Sequence, residues 1–271
     1  MPFTPCQAVE SNPTSMPSPC YHRRMHQLFI SGVRLDWDDA PRDRTEPADY
    51  TQSIPALRSL HELELDNPLT FFTGENGTGK STLLESIALT YGFNAEGGTR
   101  NYRFSTYDDA SDLSRRTTLI RRRGYCRSGY FFRAESFFNV ATQARDYDRS
   151  GTLAGLHEQS HGESFLTFIQ AFDGPGLYLM DEPEAALSPQ RQLSLMVILH
   201  RLLEDGSQCI IATHSPILLS FPGAALLSFD DGRIRPCAVE DTDSYRVMDT
   251  VINRRDALLH HLFDDHADDP V

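Results

Sequence analysis

An α/β fold with its ligand site at the carboxyl edge of a central sheet is predicted by three apolar runs, each ending on a polar cluster. Leu69-Thr70-Phe71-Phe72-Thr73 leads into Gly74-Glu75-Asn76-Gly77-Thr78-Gly79-Lys80-Ser81. Leu177-Tyr178-Leu179-Met180 leads into Asp181-Glu182-Pro183-Glu184, and Cys209-Ile210-Ile211-Ala212 into Thr213-His214-Ser215-Pro216. Short, unbroken apolar runs read as strands buried on both faces. In sheets of this kind the strands deliver their carboxyl ends to one crevice, so the three polar clusters are expected to meet there.

The first cluster matches the phosphate-loop pattern, Gly, four residues, Gly-Lys-Ser, without a mismatch. The periodic run Ser81-Thr82-Leu83-Leu84-Glu85-Ser86-Ile87-Ala88-Leu89 follows it as a helix. Strand, glycine-rich loop and helix N-terminus is the context in which the motif holds a nucleoside triphosphate. Backbone N–H groups must close on phosphate oxygens, and a Cβ at Gly77 or Gly79 is expected to obstruct that approach. The expected cradle is Gly74, Glu75, Asn76, Gly77, Thr78, Gly79, Lys80, Ser81 and Thr82. The helix opening at Lys80 adds its positive dipole end. Lys80 would reach the β- and γ-phosphates, and the Ser81 hydroxyl would hold Mg²⁺.

The other two clusters complete a catalytic set. Asp181 is the expected second Mg²⁺ residue, directly or through water. Glu182, one residue further, can polarise a water for attack on the γ-phosphate. His214 sits where a neutral imidazole could touch the γ-phosphate and that water. Between them, Ser160-His161-Gly162-Glu163 precedes an apolar run. Ser160 and Glu163 fit a capping box. The same helix start, with Ser160 and Gly162, is also an anion site for a γ-phosphate brought by another subunit.

The remaining elements are read more coarsely. Early strands are expected around residues 28–34 and 63–65, a helix over 189–203 begun by Pro189, a late strand over 225–229, and helix over 244–263 with Val247, Val251, Leu258, Leu259 and Leu262 apolar. Residues 1–24, with prolines at 2, 5, 13, 17 and 19, read as a disordered tail, and residues 264–271 as an acidic tail. Residues 25–263 then form one domain.

The net charge of −13 makes the molecule as a whole a poor ligand for polyanions. Locally that reverses: seven arginines lie between Arg115 and Arg133, including Arg121, Arg122 and Arg123. They read either as one solvated face of a hairpin or as a nucleic-acid contact. The five scattered cysteines form no Cys-x-x-Cys pair, which argues against a disulfide framework or a structural zinc site and for a reducing cytoplasm. No run of about eighteen apolar residues suggests a membrane span.

With these segments in order, the chain resembles the ATP-binding-cassette class of P-loop ATPases. Walker A is 74–81, Ser160-His161-Gly162-Glu163 stands at the place of the Leu-Ser-Gly-Gly-Gln signature, Walker B is 177–182 and His214 is the switch histidine. Ser160 and Gly162 match the signature; His161 and Glu163 depart from it. Asp181-Glu182-Pro183-Glu184 followed by Ala185-Ala186-Leu187-Ser188-Pro189 is similar to the soluble RecF-, SMC- and OLD-like branch, and more narrowly to small bacterial ATPases of the AAA/ABC type. The resemblance implies a P-loop NTPase fold of ABC-ATPase type, with a mixed central sheet flanked by helices and a small antiparallel β lobe. It implies ATP and Mg²⁺ as ligands and a head-to-tail homodimer in which Ser160 and Gly162 close the neighbour's site. It places Glu135 at the Q-loop position, with Gln143 a rival, and offers Tyr50 for adenine stacking against a reading of Tyr50 as core. The implied role is a nucleotide switch in DNA maintenance or phage defence. The alternatives are a transporter's ATP-binding subunit and a slow-hydrolysing binding module.

Overall fold

The structure is a computed structural model that describes residues 28–37, 50–99, 113–122, 126, 128–134, 166–167, 169–170 and 175–264. Glu135, Gln143, Ser160, His161, Gly162 and Glu163 lie outside the described residues, as do residues 1–24 and 265–271.

In chain order the elements are β1 (Ile30–Leu35), α1 (Pro55–Arg58), β2 (Glu62–Glu64), β3 (Leu69–Thr73), α2 (Lys80–Tyr91), α3 (Leu113–Arg116), β4 (Thr117–Arg121) and β5 (Ser128–Arg133). There follow β6 (Gly176–Asp181), α4 (Pro189–Glu204), β7 (Gln208–Ala212), α5 (Pro216–Leu219), β8 (Ala225–Ser228), β9 (Arg235–Pro236), α6 (Asp243–Asn253) and α7 (Arg255–Asp264). The central sheet has the order β5-β6-β7-β3-β8-β9, and β2-β1-β4 form a separate sheet. Pairing is parallel from β5 through β8 and antiparallel only at β8–β9, while the small sheet is antiparallel throughout. This is the expected mixed sheet with its antiparallel lobe.

Every residue of β3, β6 and β7 is buried, as the unbroken apolar runs predict. Because side chains alternate along a strand, the two faces feed two cores. Phe72, Leu179 and Ile210 pack with Leu83, Leu84 and Ile87 of α2 and with Val33 and Leu35 of the small sheet. Phe71, Met180 and Ile211 pack on the opposite face with Leu195, Leu199 and Leu202 of α4. Helix α4 starts at Pro189, where the missing N–H of proline has no helical partner to lose. Helix α5 starts at Pro216 behind Ser215, whose hydroxyl accepts the Leu218 N–H at 3.2 Å.

The two sheets are joined by one buried side chain that sequence patterning does not single out. Gln208, at the start of β7, accepts the Phe29 and Ile30 N–H groups with Oε1, each at 2.9 Å. Its Nε2 donates to the Ile30 carbonyl at 2.7 Å. A side-chain amide thus stands in for a neighbouring strand at the beginning of β1.

The expected C-terminal helix is divided at Arg254 into α6 and α7. Its apolar residues do not enter a core: Val247 and Ile252 are 63% and 68% exposed, and no residue of α6 is buried. Among the described residues no helix is long and apolar enough to cross a membrane.

Candidate nucleotide site

Strand β3 ends at Thr73 and the chain turns through three glycines, all with positive φ: Gly74 at 137°, Gly77 at 80° and Gly79 at 100°. The demand for glycine differs along the turn. At Gly77 a Cβ would meet no protein atom within 4 Å, so within the protein it is the left-handed backbone that asks for glycine. At Gly79 it would come within 2.9 Å of Ile54 and Leu57, so the close packing there comes from α1 behind the loop. The expectation of a Cβ obstructing the phosphate side is thereby corrected at Gly79.

Glu75, Asn76 and Gly77 form the exposed crest of the loop, and Lys80 lies beneath it at 4% exposure. The Lys80 ammonium donates to the Gly74 and Glu75 carbonyls, each at 2.8 Å. The Thr78 hydroxyl donates to the same Glu75 carbonyl at 2.8 Å. Burial pushes the Lys80 pKa down, and the carboxylates of Glu182, Asp230, Asp181 and Glu184 oppose that shift. A positive charge drawn partly out of water beneath the loop can pair with a polyanionic ligand, and the surrounding acids call for a cation to accompany that ligand.

The Ser81 hydroxyl donates to Asp181 Oδ1 at 2.8 Å, joining the first turn of α2 to the end of β6. Two hard oxygen donors side by side suit Mg²⁺, which binds through one or two protein oxygens plus water and substrate phosphates. The chemistry of this pair therefore fits the ion expected there. Thr82, the last residue of the expected cradle, is half-buried in the same turn.

Glu182 continues from Asp181 in a left-handed conformation, φ 48° and ψ 53°, which is uncommon for a residue with a Cβ. Its N–H still donates to the Ala212 carbonyl at 2.9 Å, so the strained residue is held against the end of β7. His214 follows on β7, with Nε2 3.7 Å from Glu182 Oε1 and without a hydrogen-bond partner in the protein. Burial, and next the charge of Lys80, hold the His214 pKa below its ordinary value, so the imidazole is neutral near pH 7. The structure thus brings Lys80, Ser81, Asp181, Glu182 and His214 to one crevice.

Glu184 and Asp230 also shape this crevice, and sequence reading gave them no role. Glu184 Oε1 accepts the His214 N–H at 2.6 Å, fastening the segment after β7 to the turn after β6. Nearby, the Ser215 hydroxyl donates to Gln192 of α4 at 2.5 Å. Asp230, just beyond β8, accepts the Glu75 N–H at 2.9 Å. The Pro183-Glu184 pair was legible only as the continuation of an acidic cluster, and Asp230-Asp231-Gly232 reads as an ordinary turn. Beside the loop is a cavity of about 370 Å³, lined by Glu75, His214 and Asp230 on one side and Val247, Met248 and Val251 on the other.

Tyr50 is not core: it is 59% exposed in the 3-10 turn Tyr50–Ser53, immediately before the segment that packs on Gly79. The arginine cluster is partly committed inside the molecule. Arg116 is buried and lies over the Trp37 ring, Arg121 donates to the Thr90 carbonyl, and Arg133 pairs with Glu85 at 2.9 Å. Arg115, Arg121 and Arg122 are exposed, and Arg123 and Arg127 lie outside the described residues.

Residues 53–137 match a family model described as an AAA domain. Residues 163–220 match one described as an AAA domain, putative AbiEii toxin, Type IV TA system. Curated relatives include the macrolide export ATP-binding/permease proteins MacB 1 of Escherichia coli O1:K1 and MacB of strain 536, each 24% identical over 245 residues. The match covers 77% of this chain but only 37% of those proteins. Similar solved structures include cbiO1 from Clostridium perfringens, at 17% identity and TM-score 0.41, covering 74% of this chain and 91% of that one. The SMC head domain from Thermotoga maritima shares 12% identity at TM-score 0.41, covering 78% and 99%.

Proposed function

We propose that this chain, an AAA/ABC-type P-loop ATPase, binds ATP with Mg²⁺ in the cradle of residues 74–82 and acts as a nucleotide switch through a head-to-tail homodimer. One observation carries the reading: Lys80, the Ser81–Asp181 pair, Glu182 and His214 converge at the carboxyl ends of β3, β6 and β7. In this reading Lys80 and the loop amides of Gly74 to Thr82 hold the β- and γ-phosphates. Ser81 and Asp181 would hold Mg²⁺, which supplies neutralisation of phosphate charge when bound. Glu182 polarises the attacking water, and neutral His214, with Nε2 3.7 Å from Glu182 Oε1, flanks it on the γ-phosphate side. Positive charge and N–H donors around the departing phosphoryl group lower the barrier.

The dimer is supported by what the site leaves open. The side chains of Glu182 and His214 are 43% and 34% exposed, whereas phosphoryl transfer benefits from a site closed to bulk water. In the proposal a second copy supplies that cover with Ser160 and Gly162, and Glu135 (or Gln143) would reach Mg²⁺ and the attacking water. Hydrolysis then removes the contact that keeps the two copies together. Free thiols at Cys126, Cys209 and Cys237 suit a reducing cytoplasm.

The resemblance to the soluble branch supports a role in DNA maintenance or phage defence, and the match of residues 163–220 to a model described as a putative AbiEii toxin of a Type IV TA system is in keeping with a role other than transport. A nucleic-acid contact would use exposed Arg115 and Arg122. The export proteins among the relatives favour a second reading, an ATP-binding subunit served by a membrane partner.

The test is ATP turnover by the wild-type chain, with and without double-stranded DNA, alongside light scattering of Glu182→Gln with ATP and Mg²⁺. Turnover with a nucleotide-dependent dimer of the variant is expected. Absence of turnover would sink the hydrolase reading, and a strictly monomeric loaded variant would sink the dimer.

A further inference from the structure

We propose that Asp230 is a positioning residue for ATP binding: it latches the first turn of the phosphate loop to the end of β8, keeping the cradle in shape before nucleotide arrives. The inference rests on ATP binding at residues 74–82. It adds a residue and a mechanical role that the catalytic set does not contain.

Both carboxylate oxygens of Asp230 are committed. Oδ1 accepts the Glu75 N–H at 2.9 Å, and Oδ2 accepts the Ser228 hydroxyl at 2.9 Å. The Ser228 oxygen in turn accepts the Asp230 N–H at 3.2 Å, which fixes the carboxylate against its own strand. The loop and the carboxylate are also in direct contact. A Cβ on Gly74 would lie 2.9 Å from Oδ1, and Gly74 sits at φ +137°. Only glycine therefore lets the turn reach its latch.

Topology gives the latch its leverage. β8 pairs directly with β3 on the side away from β7 and β6. The loop leaving β3 is thus held on one side by Ser81–Asp181 and on the other by Glu75–Asp230. The Glu75 amide faces Asp230, and the Glu75 carbonyl accepts from both Lys80 and Thr78. The backbone of Glu75 therefore shapes the cradle, and the amides further along the turn remain for phosphate. Without the latch, Gly74 would be free to swing the crest, and binding would have to supply the ordering of that segment. An ionised acceptor makes the bond stronger than a neutral one would.

The experiment measures ATP affinity by fluorescent-nucleotide competition, and KM and kcat by steady-state turnover, for Asp230→Ala, Asp230→Asn and Ser228→Ala. Asp230→Ala is expected to weaken ATP binding and raise KM by on the order of ten-fold, with kcat at saturation within about two-fold. Asp230→Asn keeps an acceptor for the Glu75 N–H while removing the charge, and is expected to return KM to within about three-fold of wild type. Ser228→Ala, which frees one end of the latch, should fall between them. Wild-type affinity in Asp230→Ala, an Asn variant as impaired as the Ala variant, or a loss confined to kcat would each overturn the proposal. If the wild-type chain itself fails to bind ATP, the reading of residues 74–82 fails instead, and Lys80→Ala serves as the binding-dead reference.

Discussion

Helices α4 and α6 both carry an apolar stripe, α4 with Leu193 and Val197 exposed besides, yet the two stripes end in opposite environments. α4 buries Leu195, Ile198, Leu199, Leu202 and Leu203 against the central sheet, while Val247, Met248, Val251 and Ile252 of α6 are all at least 42% exposed. The difference lies in what precedes each helix. α4 joins two adjacent parallel strands, so its crossover must lie on the sheet face. α6 follows the β8–β9 hairpin and a capping turn at Thr242, which fix where it starts without pressing it onto a face. An amphipathic stripe therefore predicts a helix, and connectivity decides whether the described fold covers it.

Variants across the two regions sharpen the contrast. Leu195→Ala in α4 should lower unfolding free energy by about 3 kcal/mol in denaturant titration, because it opens a hole beneath a fully buried side chain. Lys80→Ala at the site edge should weaken ATP binding by roughly 100-fold, through loss of charge-assisted contacts, while leaving the melting temperature within a few degrees. His214 should titrate by NMR with a midpoint below 6.5, and Lys80→Ala should move that midpoint upward by removing a neighbouring positive charge. Because the folded protein takes up this proton at lower pH than the unfolded chain, the associated stability is present above pH 6.5 and declines as pH falls toward the depressed midpoint. Val247→Ala in α6 should change stability by less than about 0.5 kcal/mol. A loss comparable to that of Leu195→Ala would mean that α6 is covered in solution and would dissolve the comparison.

Legibility followed the same division. The three site strands were readable to within a residue because parallel strands buried on both faces leave unbroken apolar runs, and their polar ends followed directly. Lys80, Ser81, Asp181, Glu182 and His214 were accessible by the same logic. Asp230 and Glu184 were not, because their partners are the backbone N–H groups of Glu75 and His214, which leave no mark in side-chain pattern. Gln208 was hidden for a similar reason, as its amide pairs with the backbone of a strand far away in sequence. The alternatives for Tyr50, adenine stacking or core, could not be separated in the sequence because aromatic character alone does not report burial, and its exposure removes only the core alternative. The proposed roles of Ser160, Gly162 and Glu135 rest on the motif resemblance.

The left-handed backbone at Glu182 sets chemistry against durability at a single position. Glycine there would relieve roughly 1 kcal/mol of conformational penalty, and in the proposed reading it would also remove the carboxylate that prepares the water.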